Sequence, residues 1–142
     1  MPIDDKITLL NKSLFKKKII EIYDPIHLQR YWYVNCQSSE EFNEILVKII
    51  PNCANLINFE EDTDEKNDGE CIDVVLNGHL VIIFWFNTDS INSISHECLH
   101  AVLASAKSRD INILESHDSL CYMLGFLISE MFKKLKLNIK KD

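Results

Sequence analysis

The sequence has no hydrophobic run long enough to cross a membrane. Of its 142 residues 46% are hydrophobic, but no uninterrupted apolar stretch exceeds about eight residues, whereas a membrane-spanning helix needs about 20. The first residues also lack the order of a secretory signal, in which charged residues precede an apolar stretch and then small residues. We therefore expect a cytoplasmic protein with no membrane partner.

The cysteines do not form the pattern of a disulfide framework. There are five of them, an odd number, and none forms a C-x-x-C pair. Disulfide-stabilised small proteins normally carry an even number of cysteines, and a cytoplasm keeps thiols reduced. We expect reduced, mostly buried thiols at positions 36, 53, 71, 98 and 121.

The charged runs lack the features of nucleic-acid or calcium sites. Basic residues concentrate at 16–18 and 133–141, without the interleaved aromatic side chains on which bases stack. The net charge is −7, with the acidic excess at residues 60–70. That segment lacks the D-x-D-x-D-G register and twelfth-position glutamate of a calcium loop. We expect no nucleic-acid partner, and a solvated loop at 60–70.

Hydrophobic periodicity predicts a single α+β domain over residues 1–142. Runs rich in β-branched and aromatic residues indicate strands, and apolar residues at helical spacing indicate helices. The sheet is expected to be small, mostly antiparallel and covered on one face by the helices. Strands are predicted at 18–23, 29–35, 55–60, 71–76 and 80–86, and helices at 40–50, at 91–106 and, after a break at 107–110, through residue 131.

The motif H-E-x-x-H at residues 96–100 lies on the second predicted helix. Histidines four apart project from one face of a helix, so His96 and His100 can reach a single metal ion. Glu97 flanks the same face, where its carboxylate can take a proton from a metal-bound water. The motif therefore predicts a catalytic metal site with Glu97 as general base.

A tetrahedral catalytic site needs a third protein ligand. The candidates, all at the start of the last predicted helix, are Glu115, His117 and Asp118. Helical spacing places Asp118, Cys121, Tyr122 and Gly125 on one stripe. Glycine permits close backbone approach, so we expect this stripe to pack against the motif helix and to direct Asp118 toward the histidines.

Residues 96–125 resemble the core of the zincin metallopeptidases, particularly the gluzincins, in which H-E-x-x-H is completed by an acidic ligand on the next helix. The segment also resembles small metallopeptidase-like proteins of bacteriophages and prophages. The resemblance implies a Zn²⁺ ion held by His96, His100 and Asp118, with Glu97 as general base. A gluzincin has Glu in place of Asp118, which leaves His117 as the alternative ligand.

The expected activity is hydrolysis of a peptide bond in a peptide or protein substrate. The oxyanion of the tetrahedral intermediate needs a hydrogen-bond donor, for which His117 and Tyr122 are the first candidates. Two other interpretations remain open. One is a catalytically silent metal-binding domain that acts as an interaction protein, such as a phage factor engaging a host protein, and the other is a metal-dependent hydrolase of non-peptide substrates.

Overall fold

A four-stranded mixed sheet lies at the centre of the fold. The computed structural model describes residues 16–50, 69–76, 78–109, 111–112 and 116–136. The strands and helices in this part of the chain are β1 (Ile19–Asp24), β2 (Gln29–Val34), α1 (Ser39–Ile49), β3 (Gly69–Leu76), β4 (His79–Phe86), α2 (Ile91–Ser108) and α3 (His117–Leu135).

The strand order is β1-β2-β4-β3. The pairs β1/β2 and β3/β4 are antiparallel, whereas β2 and β4 are parallel, with Tyr31 opposite Ile82. The α+β class and the mostly antiparallel sheet are therefore confirmed. The strand predicted at 55–60 lies outside the described residues.

The central strands are buried on both faces. Every residue of β4 from Val81 to Phe86 is buried, as are the four residues Tyr31 to Val34 of β2. Because successive side chains of a strand point to opposite faces, such a run has no solvent face. Helices α2 and α3 pack against the sheet as expected, and the burial of these strands shows that their second face is covered as well. A continuous apolar run is the pattern of a strand buried on both sides.

Helix α1 begins with a reciprocal cap. The Ser38 hydroxyl accepts a hydrogen bond from the Glu41 backbone N–H at 3.2 Å, and the Glu41 carboxylate accepts one from the Gln37 N–H at 3.2 Å. These bonds satisfy N–H groups that have no partner within the helix. The buried face of α1 joins the same core as the strands through Phe42, Ile45, Leu46 and Ile49.

Helix α2 lies across the sheet. It packs against β3, β4 and α3, while α3 packs against β1. Near its beginning, Glu97 lies over Gly69, the first residue of the edge strand β3. Near its end, the Ser105 hydroxyl donates to the Gln29 side-chain oxygen at the start of β2, at 3.0 Å. Its two ends therefore lie over different strands and opposite ends of the sheet.

Arg109 fixes the C-terminal end of α2 to the β1–β2 turn. Its guanidinium donates to the backbone oxygens of His27 at 2.6 Å and Leu28 at 2.9 Å, and to the side-chain oxygen of Gln29 at 2.7 Å. Gln29 is fully buried and also donates to the Leu80 carbonyl of β4 at 3.1 Å. Arg109 thus connects the end of α2 to Gln29 at the start of β2, and Gln29 in turn connects to β4.

Within the part of the chain that the structure describes, no helix combines the length and apolarity needed to cross a bilayer.

We expect Arg109→Ala to lower the free energy of unfolding by about 2 kcal/mol, because hydrogen bonds from a charged donor are each worth roughly 1.5–3 kcal/mol and part of this set is exposed. Urea unfolding measures the effect. Lys133→Ala is the control, since its ion pair with Glu130 is 3.7 Å long and the lysine side chain is 70% exposed. That change should stay within about 0.5 kcal/mol. Equal unfolding midpoints for the two variants would contradict the assigned role of Arg109.

Candidate metal site

His96 and His100 converge at the surface of α2. Both side chains are exposed, and their Nε2 atoms are 3.1 Å apart, with ring centroids at 4.6 Å. Residues four apart lie one above the other on a helix, which brings the two imidazoles together. The two nitrogens therefore lie within hydrogen-bond distance of each other at the helix surface.

The spacing of the two nitrogens suits a shared metal ion. Two imidazoles bound tetrahedrally at zinc distances would have their nitrogens about 3.3 Å apart. Ligand atoms of His96, Glu97 and His100 all lie within 4.8 Å of one another. Among the described residues this is the one group of three or more potential ligands that could hold a metal ion. The chain therefore has a candidate metal site, and the geometry does not specify the metal.

Glu97 is the buried member of the group. Only 6% of its surface is exposed, because its side chain turns from the helix toward the edge strand at Gly69. Burial raises the pKa of the Glu97 carboxyl above its usual value; His96 opposes this shift and Glu70 adds to it. The site thus combines two solvent-facing imidazoles with one shielded carboxyl group.

The neighbouring thiols are not part of the group. Cys98 is fully buried, and burial raises the pKa values of Cys71 and Cys98 to about 12, with the Glu97 charge adding to the effect. Both therefore stay protonated at neutral pH, and a protonated thiol is a poor ligand and nucleophile. Free cysteines in the described ranges are Cys36, Cys71, Cys98 and Cys121.

The predicted stripe on α3 does not pack against the motif helix. Asp118, Cys121, Tyr122 and Gly125 are all exposed, and a Cβ added at Gly125 would meet no heavy atom within 4 Å. The expected packing of this stripe was wrong, because the larger apolar side chains occupy the core instead. The buried residues of α3 are Met123, Leu127 and Met131.

Tyr122 lies near the far end of α2. Its ring centroid is 5.8 Å from that of His27, and the His27 carbonyl accepts the bond from Arg109. Arg109 follows His100 by nine residues, roughly 13 Å along a helix. Tyr122 is therefore placed with the β1–β2 turn rather than with the histidine pair.

The cluster includes neither Asp118 nor His117. Both are exposed at the beginning of α3, four and five residues before Tyr122. The third ligand therefore stays a prediction. The remaining candidate, Glu115, lies outside the described residues.

Comparisons of the chain with protein-family models, curated proteins and solved structures give no match. The case for a function therefore depends on the residues and geometry of the cluster.

We expect His96→Ala and His100→Ala to abolish bound metal, because each removes one of the two converging nitrogens. Asp118→Ala and His117→Ala should retain it, since both side chains lie outside the cluster. Elemental analysis of protein purified without chelator or affinity nickel measures metal per chain. Metal loss on changing Asp118 would instead restore the ligand set predicted from the sequence.

Proposed function

We propose that the protein is a zinc-dependent hydrolase that cleaves peptide bonds, with Glu97 as general base. One observation carries the proposal. The imidazole nitrogens of His96 and His100 are 3.1 Å apart, and the ligand atoms of these two histidines and of the shielded Glu97 carboxyl group all lie within 4.8 Å of one another. This combination of two nitrogen ligands and an adjacent acid is what metal-assisted hydrolysis requires.

The donor set fits zinc. Imidazole nitrogens favour zinc and other late first-row metals over magnesium or calcium, which prefer oxygen ligands. Bound between His96 and His100, zinc would supply Lewis acidity, which lowers the pKa of an attacking water and polarises a carbonyl group. The exposure of both histidines leaves the site open to a substrate.

Glu97 supplies the proton transfer. Its carboxyl group is held between α2 and the edge strand, beside both imidazoles and away from bulk water. From there it can accept a proton from the attacking water and pass it to the leaving amine. A carboxylate that is fixed before the reaction avoids the cost of being ordered during it.

The edge strand favours an extended protein segment as the substrate. Within the described sheet β3 pairs only with β4, so its other edge offers backbone groups that an extended chain can bind. Its first residue, Gly69, touches Glu97. A peptide added along β3 would therefore pass beside the candidate general base.

The change Glu97→Gln tests the proposal. The amide is nearly the same size but cannot accept the proton, so peptide hydrolysis should fall by a factor of about 10²–10⁴ while bound zinc is retained. Cleavage of a fluorescence-quenched library of extended peptides measures activity, and elemental analysis measures zinc. Glu44→Gln makes the same chemical change at an exposed position on α1 and should leave activity unaltered. Undiminished cleavage by Glu97→Gln would rule out Glu97 as the base.

A second function, metal binding without catalysis in an interaction protein, is favoured by the composition of the cluster. Apart from the acid, the described residues supply only two ligands, whereas catalytic zinc sites usually have three from the protein. A silent domain, such as a phage factor acting on a host protein, would bind zinc through the histidines and cleave nothing. Zinc-loaded wild type that cleaves no member of the peptide library would favour this alternative.

A further inference from the structure

Gly69 is the point at which the motif helix meets the edge of the sheet. It begins β3 and lies opposite Phe86 of β4 in the antiparallel register. The side chain of Glu97 descends from α2 onto this residue.

A Cβ atom at position 69 would have no space. It would lie 2.4 Å from Cγ and 3.0 Å from Cδ of Glu97, and 2.7 Å from the backbone oxygen of Trp85. Contacts below 3.0 Å force one of the partners to move. The Trp85 oxygen belongs to the buried strand β4, whose neighbours on both sides hold it in place. Room for a Cβ therefore requires Glu97 to leave its position, together with a shift of the Gly69 backbone away from Trp85.

We propose that Gly69 is a positioning residue for the Glu97 carboxyl group: the absent side chain sets where that group lies relative to the two imidazoles. The inference rests on the proposed role of Glu97 as general base. A side chain at position 69 would displace the Glu97 carboxyl group and leave His96 and His100 in place. A substitution there can therefore change the position of the acid while metal binding is retained.

The other described glycines show that this requirement belongs to position 69. Gly125 lies on an exposed face of α3, and Gly78 occupies a turn with φ of +77°; a Cβ at either would meet nothing within 4 Å. Glycine at position 78 is explained by its positive φ, which other residues rarely adopt. Neither glycine contacts the cluster. Gly125→Ala is therefore the matched control for Gly69→Ala.

The first test is a double-mutant cycle between Gly69→Ala and Glu97→Ala, measured by thermal unfolding of the full chain. Gly69→Ala should lower Tm by roughly 5 °C. In the Glu97→Ala background the loss should be clearly smaller, because only the Trp85 oxygen still opposes the new methyl group. Gly125→Ala should leave Tm unchanged or raise it, since alanine is the better helix former.

Equal losses of Tm in both backgrounds would overturn the inference, because Gly69 would then serve only the packing of β3 against β4. If Gly69→Ala alone does not fold, recovery of folding in the double variant supports the contact with Glu97. Failure of the double variant to fold as well would assign the requirement to the Trp85 oxygen and overturn the inference.

The second test is the absorption spectrum of the cobalt-loaded protein, which reports the surroundings of the ion. Gly69→Ala should bind cobalt in the wild-type ratio through the histidines, with a spectrum shifted toward that of Glu97→Ala. Gly125→Ala should keep the wild-type spectrum. A wild-type spectrum in Gly69→Ala would overturn the inference.

The peptide-cleavage assay separates this inference from the proposed function. Loss of cleavage in both Glu97→Gln and Gly69→Ala, with metal retained, supports both. Loss in Glu97→Gln alone overturns only the role of Gly69. If wild type cleaves no peptide, the proposed function fails, and the unfolding cycle and the cobalt spectrum still decide whether Gly69 positions Glu97.

Discussion

Both faces of strand β4 are buried in the core, and the remaining strands and helices are arranged around it. It pairs with β2 on one side and β3 on the other, and its residues from Val81 to Phe86 are all buried. Full burial of one large apolar side chain is worth about 1.5–3 kcal/mol. Six consecutive burials therefore dominate the choice of fold, and helix α2 has to lie close against this part of the sheet.

Helix α2 has to pack one side against the sheet and also carry polar side chains at its surface. Its core side is made of small and apolar residues such as Ile94, Ala101 and Val102, whereas the histidine pair is exposed. Glu97 lies at the boundary, buried against β3. Burying an acid is unfavourable unless a partner compensates, and His96 opposes the resulting rise in the Glu97 pKa without cancelling it. A residue whose burial is unfavourable is thus the one at the centre of the proposed chemistry.

Several expectations from the sequence were confirmed because they depend on local spacing. The apolar run at 80–86 predicted β4, the capping residues predicted α1, and the H-E-x-x-H spacing predicted the converging imidazoles. The stripe through Asp118 failed because helical spacing identifies which residues share a face and not which face is buried. Gly69 had no sequence signal, since it follows an acidic segment and its importance comes from a residue 28 positions away.

By itself, the sequence determined the α+β class, the principal strands and helices, and the pairing of His96 with His100. These features follow from backbone periodicity, which acts between residues a few positions apart. Only the tertiary structure decided that the central strands are buried on both faces, that the cluster is formed by His96, Glu97 and His100, and that Glu97 rests on Gly69. Those outcomes depend on how apolar faces compete for one core, which local spacing does not encode.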